Sequence, residues 1–298
     1  MAYGKLYVVA TPIGNLEDIT FRAVRVLKEA DIAAAEDTRR TRLLFTRYEI
    51  KTPLISCHKF NEAERLVFFI DELLGGKDVA LVSDAGTPCV SDPGGRLVKR
   101  AASEGIETVP VCGACAAVAA VSVSGVETDS FAFLGFLPRG ERRLIETIES
   151  AESSGVVSAA AFYESPKRIG KTLAIISEAF PDSRVCLCND LTKKFERIYR
   201  GAPSEIVGEL AANPDAGKGE YTCVLEYGPA VRSDRRVKDE ASTDANCLSL
   251  EAALADEVAK KGVTLKQAVA NVYEARDGAV PKKEIYSASL RLRKICGS

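Results

Sequence analysis

Histidine and net charge are the two properties that this sequence has least of. Its 298 residues include one histidine, and 40 lysines and arginines are nearly balanced by 42 aspartates and glutamates. A single histidine excludes metal sites that need several imidazole ligands. A net charge of −2 excludes a global positive field, so any contact with nucleic acid must come from local basic patches.

Long hydrophobic runs and targeting signals are also lacking. The longest apolar stretch runs from Val109 to Val126, is broken by Cys, Gly, Ser and Pro, and consists mostly of Ala and Val. It is too short and its side chains are too small for a membrane span. We find no secretory or transit segment before the first predicted strand. Nine cysteines, an odd number, are best interpreted as reduced and buried. We therefore expect a cytoplasmic globular protein that does not enter a membrane.

Familiar nucleotide and metal motifs are incomplete. The first predicted strand leads into ATPIG at residues 10–14, which lacks the GxGxxG pattern of a dinucleotide turn. The segment SPKRIGKT at residues 165–172 ends like a phosphate loop, but Ser165 stands where the first glycine is needed. Cys112 and Cys115 form a CxxC without a second pair or a nearby histidine to complete a zinc ligand set. These patterns argue against nucleotide hydrolysis, dinucleotide binding and a metal site.

The order of the predicted elements indicates two α/β domains and a small appendage, as the chain length also suggests. Strands alternating with helices over residues 1–124 predict a parallel doubly wound sheet, and residues 125–229 predict a second unit of the same kind. Residues 230–247 are rich in Arg, Asp, Ser and Lys, which predicts a linker. Residues 248–298 predict a small, net basic helical domain with a core of Leu254, Val258, Leu265, Val269, Val272, Ile285, Tyr286 and Leu290.

The central stretch DVALVSDAGTPCVSDPGG, residues 78–95, combines a buried strand with an unusual loop. Its apolar run predicts a strand that ends at Asp84. Glycines in the loop allow positive φ and close approach of a ligand, whereas prolines fix φ, so the loop is predicted to be rigid. Open parallel sheets bind small molecules at the carboxyl ends of their strands. The stretch therefore predicts a ligand site. The alternative is a strand-to-helix turn with polar side chains that binds no ligand.

A second predicted strand ends at two carboxylates, Glu36 and Asp37. They lead into a basic run that contains Arg39, Arg40 and Arg42. Arginines grip phosphates in bidentate fashion, so this run predicts a contact with an RNA backbone. A solvated helix face with internal ion pairs is the alternative. The same two interpretations apply to two pairs of cations further along the chain, Lys167-Arg168 and Lys193-Lys194. We place on the RNA side Arg39, Arg40, Arg42, Asn61, Lys167 and Arg168.

A family resemblance is carried by eight segments. The chain contains, in this order, TPIGNLEDIT, AEDTRRT, ISCHKFNE, ALVSDAGTPCVSDPG, FLGFLPR, FYESPKRI, DLTKKFERIYRG and KGEYTCVLEYG. Together they resemble the tetrapyrrole methylase superfamily, and within it the branch that methylates the ribose 2'-hydroxyl of a cytidine in 16S ribosomal RNA. The resemblance spans about residues 5 to 228, and the tail is similar to that branch's helical domain. It implies S-adenosylmethionine bound in a cleft between two α/β domains, a homodimer, the small ribosomal subunit as partner, and no metal.

The resemblance also assigns the cofactor contacts, position by position, to Pro12, Ile13, Asp84, Ala85, Gly86, Thr87, Cys115, Ala116, Tyr163, Glu164, Gly219 and Glu220. The chain departs from the family pattern at Cys112 and Cys115, where proline and serine are usual. A thiol is a poorer hydrogen-bond donor than a hydroxyl, so only a backbone contact is expected there.

The catalytic base and the substrate class stay open at the level of sequence. A ribose hydroxyl must lose its proton to be methylated, and the candidate bases are Asp37, His58 and Asp84, with Glu36 behind them. Two other functions are compatible with the residues. One is methylation of a tetrapyrrole or diphthine precursor on the same scaffold, and the other is a non-catalytic RNA-binding adaptor.

Overall fold

The computed structural model describes residues 3–58, 61–127, 129–228, 250–275 and 280–296. Contacts divide the chain into two compact units, Met1–Pro229 and Ala230–Ser298. The predicted linker at 230–247 lies outside the described residues. In the described ranges, no helix has both the length and the apolar character needed to cross a membrane.

The first half of the larger unit is a five-stranded parallel sheet. Its strands are β1 (Leu6–Val9), β2 (Ile32–Ala35), β3 (Leu54–Ser56), β4 (Val79–Val82) and β5 (Thr108–Val111), in the order β3-β2-β4-β1-β5. All residues of β2 and β4 are buried, as expected for short apolar strands with helices on both faces. The helices are α1 (Phe21–Glu29), α2 (Thr38–Arg47), α3 (Glu62–Leu74), α4 (Gly95–Ser103) and α5 (Ala116–Ser124). The predicted parallel doubly wound sheet is confirmed.

Local sequence explains where these helices begin. The Thr20 hydroxyl accepts a hydrogen bond from the backbone N–H of Ala23 at 3.1 Å and so caps α1. Helix α4 begins after Gly94, whose φ is +110°. A Cβ at this position would lie 2.7 Å from the Leu81 side chain, so glycine is required by both conformation and space. The end of β4 and the start of α4 are therefore packed together.

The second half of this unit is built on a mixed sheet. Its strands are β6 (Phe131–Phe136), β7 (Ala159–Glu164), β8 (Arg184–Asn189), β9 (Arg197–Gly201) and β10 (Tyr221–Glu226), in the order β6-β7-β10-β8-β9. Only β6 and β7 pair in parallel. The helices are α6 (Glu141–Ser153), α7 (Ile169–Ala179) and α8 (Pro203–Ala212).

The α/β class of this second half is confirmed, but the expectation of a second parallel sheet is wrong. The reason lies in the length of a connection. Residues 190–196 join β8 to β9, whereas a parallel connection needs about a dozen residues or more, usually with a helix. Strands β8 and β9 therefore pair in antiparallel fashion.

The smaller unit consists of α9 (Leu250–Lys261), α10 (Leu265–Ala275) and α11 (Lys282–Cys296). Leu254, Val269, Val272 and Ile285 are buried in its core, and Val258 and Leu265 pack against it. Two predicted core residues are exposed instead, Tyr286 by 57% and Leu290 by 45%. Helix α11 turns Ile285, Ala288 and Leu292 inward, and this spacing of three and four residues leaves Tyr286 and Leu290 on the other side.

The core of the mixed sheet generates a stability prediction. Phe162 is fully buried in β7, whereas Phe21, at the start of α1, is 97% exposed. Phe162→Ala is expected to lower the free energy of unfolding by about 3 to 5 kcal/mol, because it removes buried apolar surface and leaves a cavity. The matched variant Phe21→Ala should change it by less than about 0.5 kcal/mol. Urea denaturation measures both, and similar losses in the two variants would contradict the packing described here.

Candidate functional site

Three loops that follow neighbouring parallel strands are tied together at one edge of the first sheet. The backbone N–H of Thr11, after β1, donates to the carbonyl of Gly86, after β4, at 2.9 Å, and the reverse bond measures 3.0 Å. The Thr87 hydroxyl donates to the carbonyl of Ala114, after β5, at 3.2 Å. Gly86 has φ of +78°, a conformation that glycine adopts at no steric cost. The three loops thus form one continuous floor.

The loop between β4 and α4 holds unfavourable backbone conformations. Cys89 and Ser91 have φ of +69° and +64°, although neither is glycine. Each such residue costs on the order of 1 to 3 kcal/mol and is found mainly where function needs a defined shape. A Cβ on Gly135 would lie 3.1 Å from the Ser91 hydroxyl, so this loop reaches β6 of the second sheet. The loop is therefore clamped between the two halves of the larger unit.

A cavity of about 310 Å³ lies above this floor. The first half provides the loops after β1, β4 and β5. The second half provides β6 and the adjacent ends of β7 and β10, where Glu164 pairs with Tyr221 in antiparallel register. The walls are formed by Ile13, Ala85, Gly86, Thr87, Val90, Ser91, Asp92, Cys115, Ala116, Phe136, Tyr163, Glu164, Ser165, Pro166, Gly219, Glu220, Tyr221 and Thr222.

The structure brings most of the predicted cofactor residues together on these walls. They are Ile13, Ala85, Gly86, Thr87, Cys115, Ala116, Tyr163, Glu164, Gly219 and Glu220. Pro12 and Asp84 do not line the cavity, and Cys112 is exposed nearby. The role of each residue in binding stays a prediction.

Sequence reasoning missed several wall residues, notably Phe136 and Asp92. Asp92 belongs to the second of two Ser-Asp pairs in the central loop, and this repetition was the available signal. Phe136 is 60% exposed at the end of β6, and its ring meets that of Tyr163 edge-on at 5.7 Å between centroids. An aromatic corner therefore borders the cavity.

The carboxylate of Glu164 is buried and fully used within the protein. It accepts hydrogen bonds from the backbone N–H of Ser165 at 2.7 Å and the Thr172 hydroxyl at 2.9 Å. It also forms an ion pair with Arg168 at 3.1 Å. Arg168 in turn donates to the carbonyls of Leu137 and Pro138, each at 3.0 Å. Arg168 is thus held inside the second half, whereas its neighbour Lys167 is exposed.

The first loop also meets the connection between β8 and β9. The backbone N–H of Asn15 donates to the Thr192 hydroxyl at 2.9 Å. Lys193 bridges Asp190 at 2.7 Å and Glu220, on the cavity wall, at 2.8 Å. This contact and the clamped loop after β4 are separate links between the two halves.

Acidic side chains crowd the edge where β2 and β4 end. The Asp84 carboxylate accepts from the backbone N–H of Asp37 at 2.9 Å and faces Arg40 at 3.4 Å. Burial, and then the nearby Asp84 charge, raises the pKa of Glu36. Burial, followed by the charges of Glu36 and Asp84, raises the pKa of Asp92 to about 6. This edge therefore holds more negative charge than its cations neutralise.

Asp37 has the opposite electrostatic character. Its two oxygens accept from the Arg39 guanidinium at 3.0 and 2.7 Å, and one of them also accepts from the backbone N–H of Arg39. These hydrogen bonds hold the pKa of the Asp37 carboxyl far below its usual value. A carboxylate of such low basicity is a poor acceptor for a proton.

His58 and Asn61 form the turn after β3. The Asn61 side chain accepts from the backbone N–H of His58 at 2.8 Å and donates to the carbonyl of Ser56 at 3.3 Å. His58 does not line the cavity. Asn61 therefore has a structural task in the turn, and its predicted contact with RNA is not tested by this geometry.

Helix α2 presents the predicted basic run to solvent. The Arg39 side chain is 90% exposed and that of Arg40 is 65% exposed. Arg42 and Arg47 are exposed on the same helix, beside Leu43. The N-terminus of this helix lies at the acidic edge described above, because the Asp37 carboxylate caps it. Exposed cations and the rim of the cavity are thus close in the structure.

The sequence profile of the tetrapyrrole (corrin/porphyrin) methylases matches residues 5–207. The chain belongs to the tetrapyrrole methylase family. Two curated relatives are named ribosomal RNA small subunit methyltransferase I. The one from Halalkalibacterium halodurans is 41% identical over 284 residues, which cover 95% of this chain and 94% of the relative. The one from Bacillus subtilis is 40% identical over 285 residues, which cover 96% of this chain and 94% of the relative. The family resemblance seen in the sequence is confirmed.

Solved structures of the tetrapyrrole methylase type share the fold. A diphthine synthase has a TM-score of 0.57 at 14% identity, with 78% of this chain and 94% of that one covered. A cobalt precorrin-4 methyltransferase has a TM-score of 0.56 at 18% identity, with 75% of this chain and 94% of that chain covered. At such low identity the likeness concerns the fold alone. It confirms the prediction of an α/β methylase scaffold.

The buried ion pair in this tetrapyrrole methylase yields a testable prediction. Arg168→Ala would leave the Glu164 carboxylate buried beside its neutral donors only. The free energy of unfolding is expected to fall by about 2 to 4 kcal/mol. Lys167→Ala, the adjacent exposed cation, should change it by less than about 0.5 kcal/mol. Thermal or urea unfolding compares the two, and an unchanged stability of Arg168→Ala would show that the ion pair contributes nothing.

Proposed function

We propose that this methylase transfers the methyl group of S-adenosylmethionine to ribosomal RNA of the small subunit, at the ribose 2'-hydroxyl of a cytidine in 16S RNA. The observation that carries the proposal is the similarity, at about 40% identity over nearly the whole chain, to relatives named for the methylation of small-subunit ribosomal RNA. The 2'-hydroxyl and the cytidine are the finer parts of the proposal and rest on the resemblance of the motifs.

The chemistry of the cavity fits the cofactor. A volume of about 310 Å³ lies within the usual range for sites that hold small molecules. Phe136 and Tyr163 provide aromatic surface for a base, and Gly86 and Gly219 provide backbone that a ligand can approach closely. When bound, S-adenosylmethionine supplies the methyl group.

The residues of this chain mainly have to position the reactants. Holding two reactants in line can supply roughly 7 to 11 kcal/mol of the barrier. The floor formed by the Thr11–Gly86 pair is suited to hold the cofactor in one orientation. The exposed arginines of α2 are suited to bind RNA phosphates and bring a sugar to the rim of the cavity.

The remaining predictions belong to the same proposal. The domains are residues 1–124 and 125–229, with 248–298 as an additional helical domain. We further propose a homodimer, a cytoplasmic location, a site without a metal, and the 16S RNA of the small ribosomal subunit as partner.

A transfer assay tests the proposed function. The protein is incubated with S-adenosylmethionine carrying a tritiated methyl group and with small ribosomal subunits that lack the modification. We expect label in RNA and, after digestion, in 2'-O-methylcytidine. Label in a tetrapyrrole acceptor and none in RNA would replace this function by that of another branch of the family. Binding of RNA with no binding of S-adenosylmethionine by calorimetry would favour the adaptor, whose cofactor cleft would be degenerate.

The basic run yields a prediction about affinity. Arg39→Ala should weaken binding of small-subunit RNA and lower the slope of log affinity against log salt by about 1, because one phosphate contact is lost. Its affinity for S-adenosylmethionine should be unchanged. Arg142→Ala is a matched control, since Arg142 is 91% exposed and pairs with Glu146 at 2.7 Å, much as Arg39 is 90% exposed and pairs with Asp37 at 2.7 Å. Equal losses of RNA and cofactor affinity in Arg39→Ala would contradict this division of roles.

A further inference from the structure

Three carboxylates lie on the cavity wall, and they differ in what already binds them. The Glu164 carboxylate already binds three donors in the second half of the larger unit. Glu220 pairs with Lys193 at 2.8 Å. The Ser83 hydroxyl donates to the backbone carbonyls of Ala85 and Gly86, each at 3.3 Å, and lies close enough to Asp92 to lower its pKa. In the part of the chain that the structure describes, no lysine or arginine pairs with Asp92. Asp92 is therefore the carboxylate on the cavity wall whose oxygens can still accept a hydrogen bond or a proton.

The backbone, rather than a salt bridge, sets the position of Asp92. It stands between Ser91, which has φ of +64°, and Pro93, whose ring fixes φ. Ser91 in turn lies against Gly135 of β6. A side chain held in this way keeps its place when its charge changes, which suits a group that gains and loses a proton.

The charges around Asp92 raise its basicity. Burial contributes most to the raised pKa of about 6, the negative charges of Glu36 and Asp84 add to it, and the Ser83 hydroxyl opposes them. Glu36 comes from the end of β2, and Asp84 precedes Asp92 in the same loop. Arg40 of α2 faces Asp84 and Glu36, so its charge moderates the repulsion without neutralising Asp92 itself.

The two other carboxylates on the cavity wall, Glu164 and Glu220, pair with Arg168 and Lys193. The Tyr163 hydroxyl and the Cys89 thiol, which also lie near Asp92, are neutral near pH 7. Burial raises the pKa of the Tyr163 hydroxyl, on β7, to about 12. Burial likewise raises the pKa of the Cys89 thiol, in the same loop as Asp92. His58 lies near enough to Glu36 for its charge to lower the pKa of that carboxyl. A carboxylate with a pKa near 6 is ionised at neutral pH yet more basic than an ordinary aspartate, as a general base should be.

The three bases expected from sequence are less well suited. Asp37 is occupied by Arg39 and has a strongly lowered pKa. Asp84 is turned away from the cavity wall, toward the backbone of Asp37 and toward Arg40. His58 does not line the cavity.

From this geometry we propose that Asp92 is the catalytic residue that accepts the proton of the ribose hydroxyl, an inference that rests on the function proposed above. The hydroxyl proton moves to an Asp92 carboxylate oxygen as the hydroxyl oxygen forms its bond to the methyl carbon. The electron pair of the breaking carbon–sulfur bond stays on sulfur, so the positive sulfonium becomes a neutral thioether. The protonated Asp92 then returns its proton to water. Glu36 acts as a positioning residue that keeps Asp92 basic.

The first test separates proton transfer from binding. In Asp92→Asn the single-turnover rate of methyl transfer is expected to fall about 10² to 10⁴ fold, the usual contribution of a placed base. Calorimetry should show an affinity for S-adenosylmethionine within about threefold of the native value. Asp92→Glu should recover part of the rate, because it restores a carboxylate.

The second test follows the titration itself. The native rate should rise with pH through an inflection near 6, and carbon-13 NMR of the Asp92 carboxyl in the free protein should titrate at the same pH. Glu36→Gln removes a repelling negative charge and should move both midpoints to lower pH. Glu146→Gln, an exposed acid on α6 paired with Arg142, should leave both midpoints in place.

Three results would overturn the inference alone, in an enzyme that methylates small subunits as proposed. One is an Asp92→Asn variant that keeps its rate within tenfold, and another is a parallel loss of rate and cofactor affinity, which would make Asp92 a binding residue. The third is a pH profile that Glu36→Gln does not move. A native protein that transfers no methyl group to small subunits would overturn the proposed function as well.

Discussion

The pair of backbone hydrogen bonds between Thr11 and Gly86 is the constraint on which the site depends. It joins the loops that follow two adjacent central strands, so the carboxyl edge of the first sheet acts as one surface instead of separate turns. The positive φ of Gly86 lets the chain turn there without strain. With that floor in place, the strained residues of the loop after β4 can point a carboxylate into the cavity. The same loop meets β6, which fixes the second half against the first.

Charge is distributed over this edge in an uneven way. Arg39 binds Asp37 and Arg40 faces Asp84, which leaves Glu36 and Asp92 without a strong cation partner of their own among the residues described. One consequence is that the pKa values of Glu36 and Asp92 are raised. Another is that the outer face of α2 keeps exposed guanidinium groups. Exposed arginines and an acidic edge thus lie within one strand-to-helix connection of each other.

Particular residues show how far sequence reasoning reaches. The buried run of β4 and the glycine and proline pattern after it predicted a shaped loop at a strand end, because burial and φ preferences are local properties. Lys167 and Arg168, by contrast, looked alike as a basic pair. Only the fold separates them, since Arg168 reaches the buried Glu164 and two carbonyls while Lys167 stays in solvent. In the same way Tyr286 and Leu290 had suitable spacing for a core, but helix α11 turns another face inward.

The sequence by itself determined the family, the parallel sheet and the place of the shaped loop after β4, because these depend on motifs, hydrophobic periodicity and the backbone preferences of glycine and proline. The tertiary structure alone decided the mixed pairing of the second sheet and the assembly of the cavity from both halves. It also decided which carboxylate is basic. The pKa of Asp92 depends on burial and on Glu36, a residue from another strand, and such through-space effects are not encoded in any local pattern.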